Sequence, residues 1–202
     1  MDAPEIVTMI KDVVLAVAAG VTAWVAVSGI RRWRKELEGR AGFDAARALA
    51  RATFRLRDAL RSCRSPLMTG DEYPDGYFDS RNKSDAEKAQ GLAHVYNNRF
   101  LPVRDAINEF DTQALEAEAL WGSSIRQRTD ALRHCVVELR VAIEATIENA
   151  AGGGRDFESD RSFAKEMRSA TSDGRKDNKL TKSIDAAVGA IEDELRKHLG
   201  RA

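Results

Sequence analysis

The chain has 202 residues, 32 basic and 32 acidic side chains and a net charge of zero, which excludes a surface that is basic throughout, as general nucleic-acid binders show. Four prolines and 14 glycines exclude collagen-like and Pro-rich disordered chains. Two cysteines, Cys63 and Cys135, give neither a disulfide framework nor a four-ligand zinc site, and read as reduced or buried thiols.

The first element is the uncharged run from Val13 to Ile30, 18 residues or about 27 Å of helix. Its length predicts an N-terminal transmembrane helix, although Ala, Gly, Ser and Thr fill half of it. The acidic start, Asp2 and Glu5, argues against a cleaved signal peptide. Arg31, Arg32, Trp33, Arg34 and Lys35 follow, and that residue pattern marks a membrane interface on the cytoplasmic side. Ala16, Ala19, Ala23 and Ala26 share one face beside Gly20, small-residue spacing that leaves a homodimer open.

Residues 36–64 read as one long helix. Ala45, Leu49, Ala52, Leu56, Ala59 and Cys63 form an apolar seam at steps of three and four. Arg47, Arg51 and Arg55 make one basic row, and Arg57, Arg61 and Arg64 another. Charge rows of this kind are commonly solvated or paired helix faces, with Asp71, Glu72, Asp105, Glu109, Glu116 and Glu118 as acids in reach. Binding of phosphate, anionic lipid or nucleic acid is the rival reading of these arginines. Pro66 ends the helix.

Residues 65–83 carry no helical period and predict a long loop. Such connections are uncommon in compact domains unless functional or disordered. Glu72, Tyr73, Tyr77 and Phe78 are therefore the candidate partner-binding residues, since aromatic groups are enriched where proteins meet. The alternative has the aromatics folding back on the bundle while the acids pair with Arg61 and Arg64.

Ser84 and Glu87 form a capping box that opens a helix, which kinks or restarts at Pro102 and runs to about Leu120. Ile125, Leu132, Leu139 and Thr146 repeat every seven residues in the next helix, which Gly152, Gly153 and Gly154 end. Phe157 and Phe163 lie in a short amphipathic piece, and Leu180, Ile184, Ala187, Ile191, Leu195 and Leu199 define a last helix. The expectation is all-α: an N-terminal transmembrane helix (anchor and basic exit, 1–35) followed by an antiparallel helical bundle of four or five helices over 36–200.

Catalytic chemistry leaves no signature. No phosphate-binding glycine loop or zinc-protease motif occurs. His94, His134 and His198 lie on separate helices, and none has a glutamate three residues earlier, as a di-iron bundle needs. His134 and Cys135 are adjacent and point about 100° apart on a helix. No catalytic residue, metal ligand or cofactor is assigned.

The span, its Trp-and-cation exit, and the helix closing with Arg57, Asp58, Ala59, Leu60, Arg61, Ser62, Cys63, Arg64, Ser65 and Pro66 before Glu72 resemble a loose group of uncharacterised bacterial membrane-anchored proteins. The resemblance implies a bacterial inner-membrane setting and transfers no activity; Arg31, Arg32, Arg34 and Lys35 place the N-terminus outside and the helical domain in the cytoplasm. The functional expectation is a membrane-anchored adaptor or regulatory partner without chemistry of its own, touching membrane lipid and a protein partner, with nucleic acid disfavoured. A tethered enzyme with a site assembled from scattered residues, and a basic-helix module, stay open.

Overall fold

The computed structural model describes residues 3–174 and 177–200, with the side chains at 3–14, 16 and 19 outside the description. Among the described residues all regular structure is helical. The elements are α1 (Ala3–Cys63), α2 (Asp85–Trp121), α3 (Ser123–Ala151), α4 (Arg155–Ser159), α5 (Arg161–Thr171) and α6 (Lys179–Leu199), with a single 3-10 turn at Gly70–Glu72. The chain divides into two compact units, Met1–Asp44 and Ala45–Ala202.

In the first unit α1 runs without a break through the basic run at 31–35, because nothing between Ile30 and Glu36 stops a helix. The large apolar side chains described between Leu15 and Leu37 are exposed, Trp24 at 71 % and Trp33 at 63 %. The expected transmembrane helix is corrected: among the described residues no helix is long and apolar enough to cross a membrane. The described part of the run at 13–30 is diluted by Ala18, Gly20, Thr22, Ala23, Ala26, Ser28 and Gly29, which hold its apolar character below that of a spanning helix. Val13, Val14, Ala16 and Ala19 lie outside the described side chains. The membrane anchor, the membrane-lipid partner, the single-pass inner-membrane location and its N-out topology all rested on that span and are corrected with it. The homodimer seam at Ala16, Ala19, Ala23 and Ala26 loses its bilayer for the same reason.

In the second unit the helices surround one apolar core. Ala45, Leu49, Ala52, Leu56 and Cys63 of the α1 seam are buried, whereas Ala59 is half-buried and Leu60 takes the inner place. Leu56 and Leu60 pack with Val103 and Phe110 of α2, Ile125, Leu132 and Leu139 of α3, and Ile184, Ile191 and Leu195 of α6. Each large side chain so buried contributes about 1.5–3 kcal/mol. The seven-residue period of α3 is thus the inner stripe of a helix touched on several sides.

Local chemistry sets the boundaries. Ser84 and Glu87 close the capping box of α2, with Glu87 N–H donating to Ser84 Oγ at 3.2 Å and Ser84 N–H to Glu87 Oε2 at 2.7 Å. Helix α2 continues past Pro102 instead of restarting there. Gly122, at φ +77°, turns the chain into α3. Asp160 splits the predicted short piece in two, accepting from Ser162 N–H and Phe163 N–H at 2.9 Å each to cap α5. That division raises the expected four or five helices to six. Pairing of Arg55 with Glu109 and of Arg99 with Ser65 sets the α1 end antiparallel to α2, and Asp111 with Arg133 and Glu118 with Arg126 do the same for α2 and α3.

Candidate functional site

The connection from α1 to α2 is an ordered surface feature built on Arg99 of α2. Arg99 is the centre of a fork of hydrogen bonds. Its Nη1 donates to the Ser65 carbonyl at 2.7 Å and its Nη2 to the Leu67 carbonyl and to Glu72 Oε1, the latter at 2.8 Å. Its Nε donates to the other Glu72 oxygen, completing a bidentate ion pair. Glu72 also accepts from Thr69, through the backbone N–H at 2.9 Å and the hydroxyl at 3.2 Å. The Arg99 hydrogen bond, helped by those from Thr69, holds the Glu72 carboxyl down to about 2. The loop's glutamate is therefore a fastening, and its partner is Arg99 rather than Arg61 or Arg64.

Glu72 positions Tyr73, the first of three rings. Tyr73 and Tyr77 stack with centroids 4.6 Å apart, and Phe78 meets both edge-on at 5.2 and 5.0 Å. A tight turn makes this meeting feasible: Tyr77 N–H donates to the Pro74 carbonyl at 3.0 Å, and Gly76 supplies φ +74°. The Tyr77 ring lies against bare backbone at Gly91, where a Cβ would come within 2.3 Å of it. Tyr73 Oη donates to Met68 Sδ at 3.8 Å, and burial raises the Tyr73 pKa. Phe78 closes the cluster from outside and stays 62 % exposed.

Charge surrounds the rings. Asp71, Asp75 and Asp79 are exposed at the turns of the loop. The ammonium of Lys83 stands 4.5 Å from the Tyr77 centroid and 5.6 Å from that of Phe78, within cation–π range. The four predicted partner-binding residues thus come together, two of them (Glu72 and Tyr77) also fastening the loop to α2. Arg99, Lys83 and Gly91 were not singled out from sequence. The signal was the Gly91 gap in an otherwise well-formed helix.

The predicted basic face divides by environment. Arg47, Arg51 and Arg55 are exposed, and Arg55 pairs with Glu109. Arg57 pairs with its neighbour Asp58 at 2.8 Å and lies over the Phe54 ring. Arg61 reaches Asp173 at 3.6 Å from an exposed position. Arg64 is buried, 1 % exposed. Its Nε donates to the Ala170 carbonyl at 2.7 Å, Nη2 to Asn178 Oδ1 at 2.7 Å and Nη1 to Thr181 Oγ1 at 3.1 Å. Arg64 is a structural tie from α1 to the α5–α6 connection. Arg31, Arg32, Trp33, Arg34 and Lys35 are all exposed on α1, and without a described spanning helix their membrane-interface role has no premise.

His94 and His134 are exposed, and His198 stacks on Trp121 with centroids 4.0 Å apart. Among the described residues no group of His, Cys, Asp and Glu side chains is placed to hold a metal ion. Burial raises the thiols of Cys63 and Cys135 to about 11, which leaves them protonated packing groups at neutral pH.

No protein-family model, curated protein or solved structure matches this chain. The resemblance to bacterial membrane-anchored proteins is corrected on that finding and on the lack of a spanning helix among the described residues.

Proposed function

We propose that this chain is a protein-binding module whose contact surface is the aromatic and acidic loop at 65–83, and that it takes a basic segment of its partner. The observation that carries the reading is the Lys83 ammonium on Tyr77 and Phe78 beside an exposed Phe78 ring. Those ring faces already accept a cation from the chain itself. A partner lysine or arginine could meet the same chemistry, at about 0.5–1 kcal/mol per exposed cation–π contact.

Two further features support it. The Arg99–Glu72 fastening orders the loop before any partner arrives, so less ordering cost falls on binding. Asp71, Asp75 and Asp79 give the rim a negative field that would speed encounter with a basic segment and repel an acidic one.

The test is fluorescence anisotropy of labelled peptides on the full chain, using a Lys/Arg-rich panel against an acid-rich panel of equal length. Phe78→Ala removes exposed ring surface, and Asp75→Lys with Asp79→Lys reverses the rim. Basic peptides should bind in a salt-dependent manner and lose about 5–30-fold with Phe78→Ala, the range for an interface aromatic worth 1–2 kcal/mol. Equal binding of acidic peptides, or no change in either variant, overturns the reading.

A further inference from the structure

A concave surface lies on another part of the same unit. A groove of about 380 Å³ opens between α2 and α3. Phe100 and Leu101 from α2 and Ile143 and Ile147 from α3 supply its apolar lining. Leu101 is 43 % exposed, a large aliphatic group left in water at the lip. Two cations line the groove as well, Arg104 and Arg140.

Their placement follows from the helix register. Asp111 and Arg133 pair across the two helices at 2.6 Å, which fixes those positions as level. Seven residues back along α2 is Arg104, and seven residues on along antiparallel α3 is Arg140. The two arginines therefore sit level with each other at one end of the groove. Asn97 and Ile147, a further seven residues along each helix, mark the other end, about 10 Å away by helical rise.

The ion pairs at the arginine end are solvated. Arg140 bonds Glu144 at 2.9 Å within α3, both side chains more than half exposed. Arg104 is 3.9 Å from its sequence neighbour Asp105, with similar exposure. Exposed pairs of this kind contribute little and exchange readily. Glu144 also lines the groove, so its wall carries two cations against one carboxylate. Volumes near this size suit a small organic molecule, and an apolar lining with few convergent polar groups is the usual form of such a site.

We infer that the α2–α3 groove binds a small organic acid with an apolar body about 10 Å long, its carboxylate held between Arg104 and Arg140. The guanidinium forks match a carboxylate in two-point geometry, and the apolar body would cover Phe100, Leu101, Ile143 and Ile147. This site is independent of the peptide-binding reading of the 65–83 loop.

The probe is 4-phenylbutanoate, with 4-phenylbutylamine and 4-phenylbutan-1-ol as its cationic and neutral counterparts. Binding is read on the full chain from the methyl NMR signals of Ile143 and Ile147, which line the groove. The acid should shift both signals saturably. Arg104→Ala with Arg140→Ala should weaken it at least tenfold at unchanged melting temperature, whereas Arg161→Ala on α5 should not. Ile147→Trp, which fills the groove with both arginines intact and leaves Ile143 as the reporter, should abolish the Ile143 shift. Absence of a saturable shift, equal binding of the amine or the alcohol, or full affinity in the double variant overturns the proposal.

Discussion

Arg64→Ala gives the sharpest test of how the second unit is held together. The guanidinium is 1 % exposed and makes hydrogen bonds of 2.7, 2.7 and 3.1 Å to Ala170, Asn178 and Thr181, with Asp173 at 3.9 Å. Its removal leaves the Ala170 carbonyl without this donor and the Asp173 carboxylate without its buried cation. Part of the network would survive, because Thr181 N–H still donates to Asn178 Oδ1 at 3.1 Å and the Thr181 hydroxyl to Asp173 Oδ1 at 2.6 Å. Breaking a buried charged group out of such a network costs about 3–5 kcal/mol. That is a large part of the roughly 5–15 kcal/mol that stabilises a typical domain. For a chain of this size it corresponds to a fall of about 6–20 °C in melting temperature. Arg61→Ala is the internal control, since Arg61 reaches the same Asp173 at 3.6 Å from a side chain 63 % exposed. Its loss should cost no more than about 1 kcal/mol. Arg64→Lys should fall between them, because an ammonium keeps the charge but cannot serve three separated acceptors as the planar fork does. Urea unfolding followed by far-UV circular dichroism, with the slope checked for constancy, measures all three. If Arg64→Ala lies within about 1 kcal/mol of Arg61→Ala, Arg64 does not tie α1 to the α5–α6 connection.

The Glu72 carboxyl, held down to about 2 from an ordinary 4.5, contributes loop docking that is present above its unfolded pKa and is lost as pH falls toward the folded one; pepsin cleavage within 65–83 should therefore accelerate between about pH 4.5 and 2, and Glu72→Gln should be cleaved readily at both ends of that window. Gly91→Ala places a Cβ 2.3 Å from the Tyr77 ring; it should expel the ring and speed loop proteolysis at neutral pH, while the melting temperature changes little because alanine favours α2 by up to about 1 kcal/mol. Cys63 and Cys135, raised to about 11 by burial, should resist a disulfide reagent at pH 8 in the folded chain and react promptly in urea, and rapid modification of the native protein would contradict their burial.

How much of this was legible in sequence depends on the range of the interaction. The α1 seam, the Ser84–Glu87 box and the seven-residue stripe of α3 are local patterns, and each appears where its spacing places it, save that Leu60 replaces Ala59 inside the seam and Thr146 is half-buried. The split at Asp160 was also local, since an aspartate followed by Arg161 and Ser162 is a capping signal that a short amphipathic reading hides. The N-terminal run failed differently. A count of uncharged residues gave a span, but Ala, Gly, Ser and Thr make half of that run only weakly apolar, and the described helix does not reach spanning character.

Choice among equivalent charges was beyond a single sequence. Arg64 and Arg61 occupy the same predicted row, three residues apart, yet one is sealed inside and the other stands in water. What separates them is where the α5–α6 connection crosses α1, a contact more than 100 residues distant along the chain. The same holds for Glu72, which had Arg61, Arg64 and Arg99 in principle available. It pairs with Arg99 because the antiparallel register of α1 and α2 brings Arg99 level with Ser65, at the mouth of the loop. The loop's aromatic content was visible from composition, but its ordering was not, because the turn at Gly76, the gap at Gly91 and the Arg99 fork must act together. Those three contacts turn a stretch without helical period into a fixed surface, and a fixed surface is what the proposed peptide contact requires.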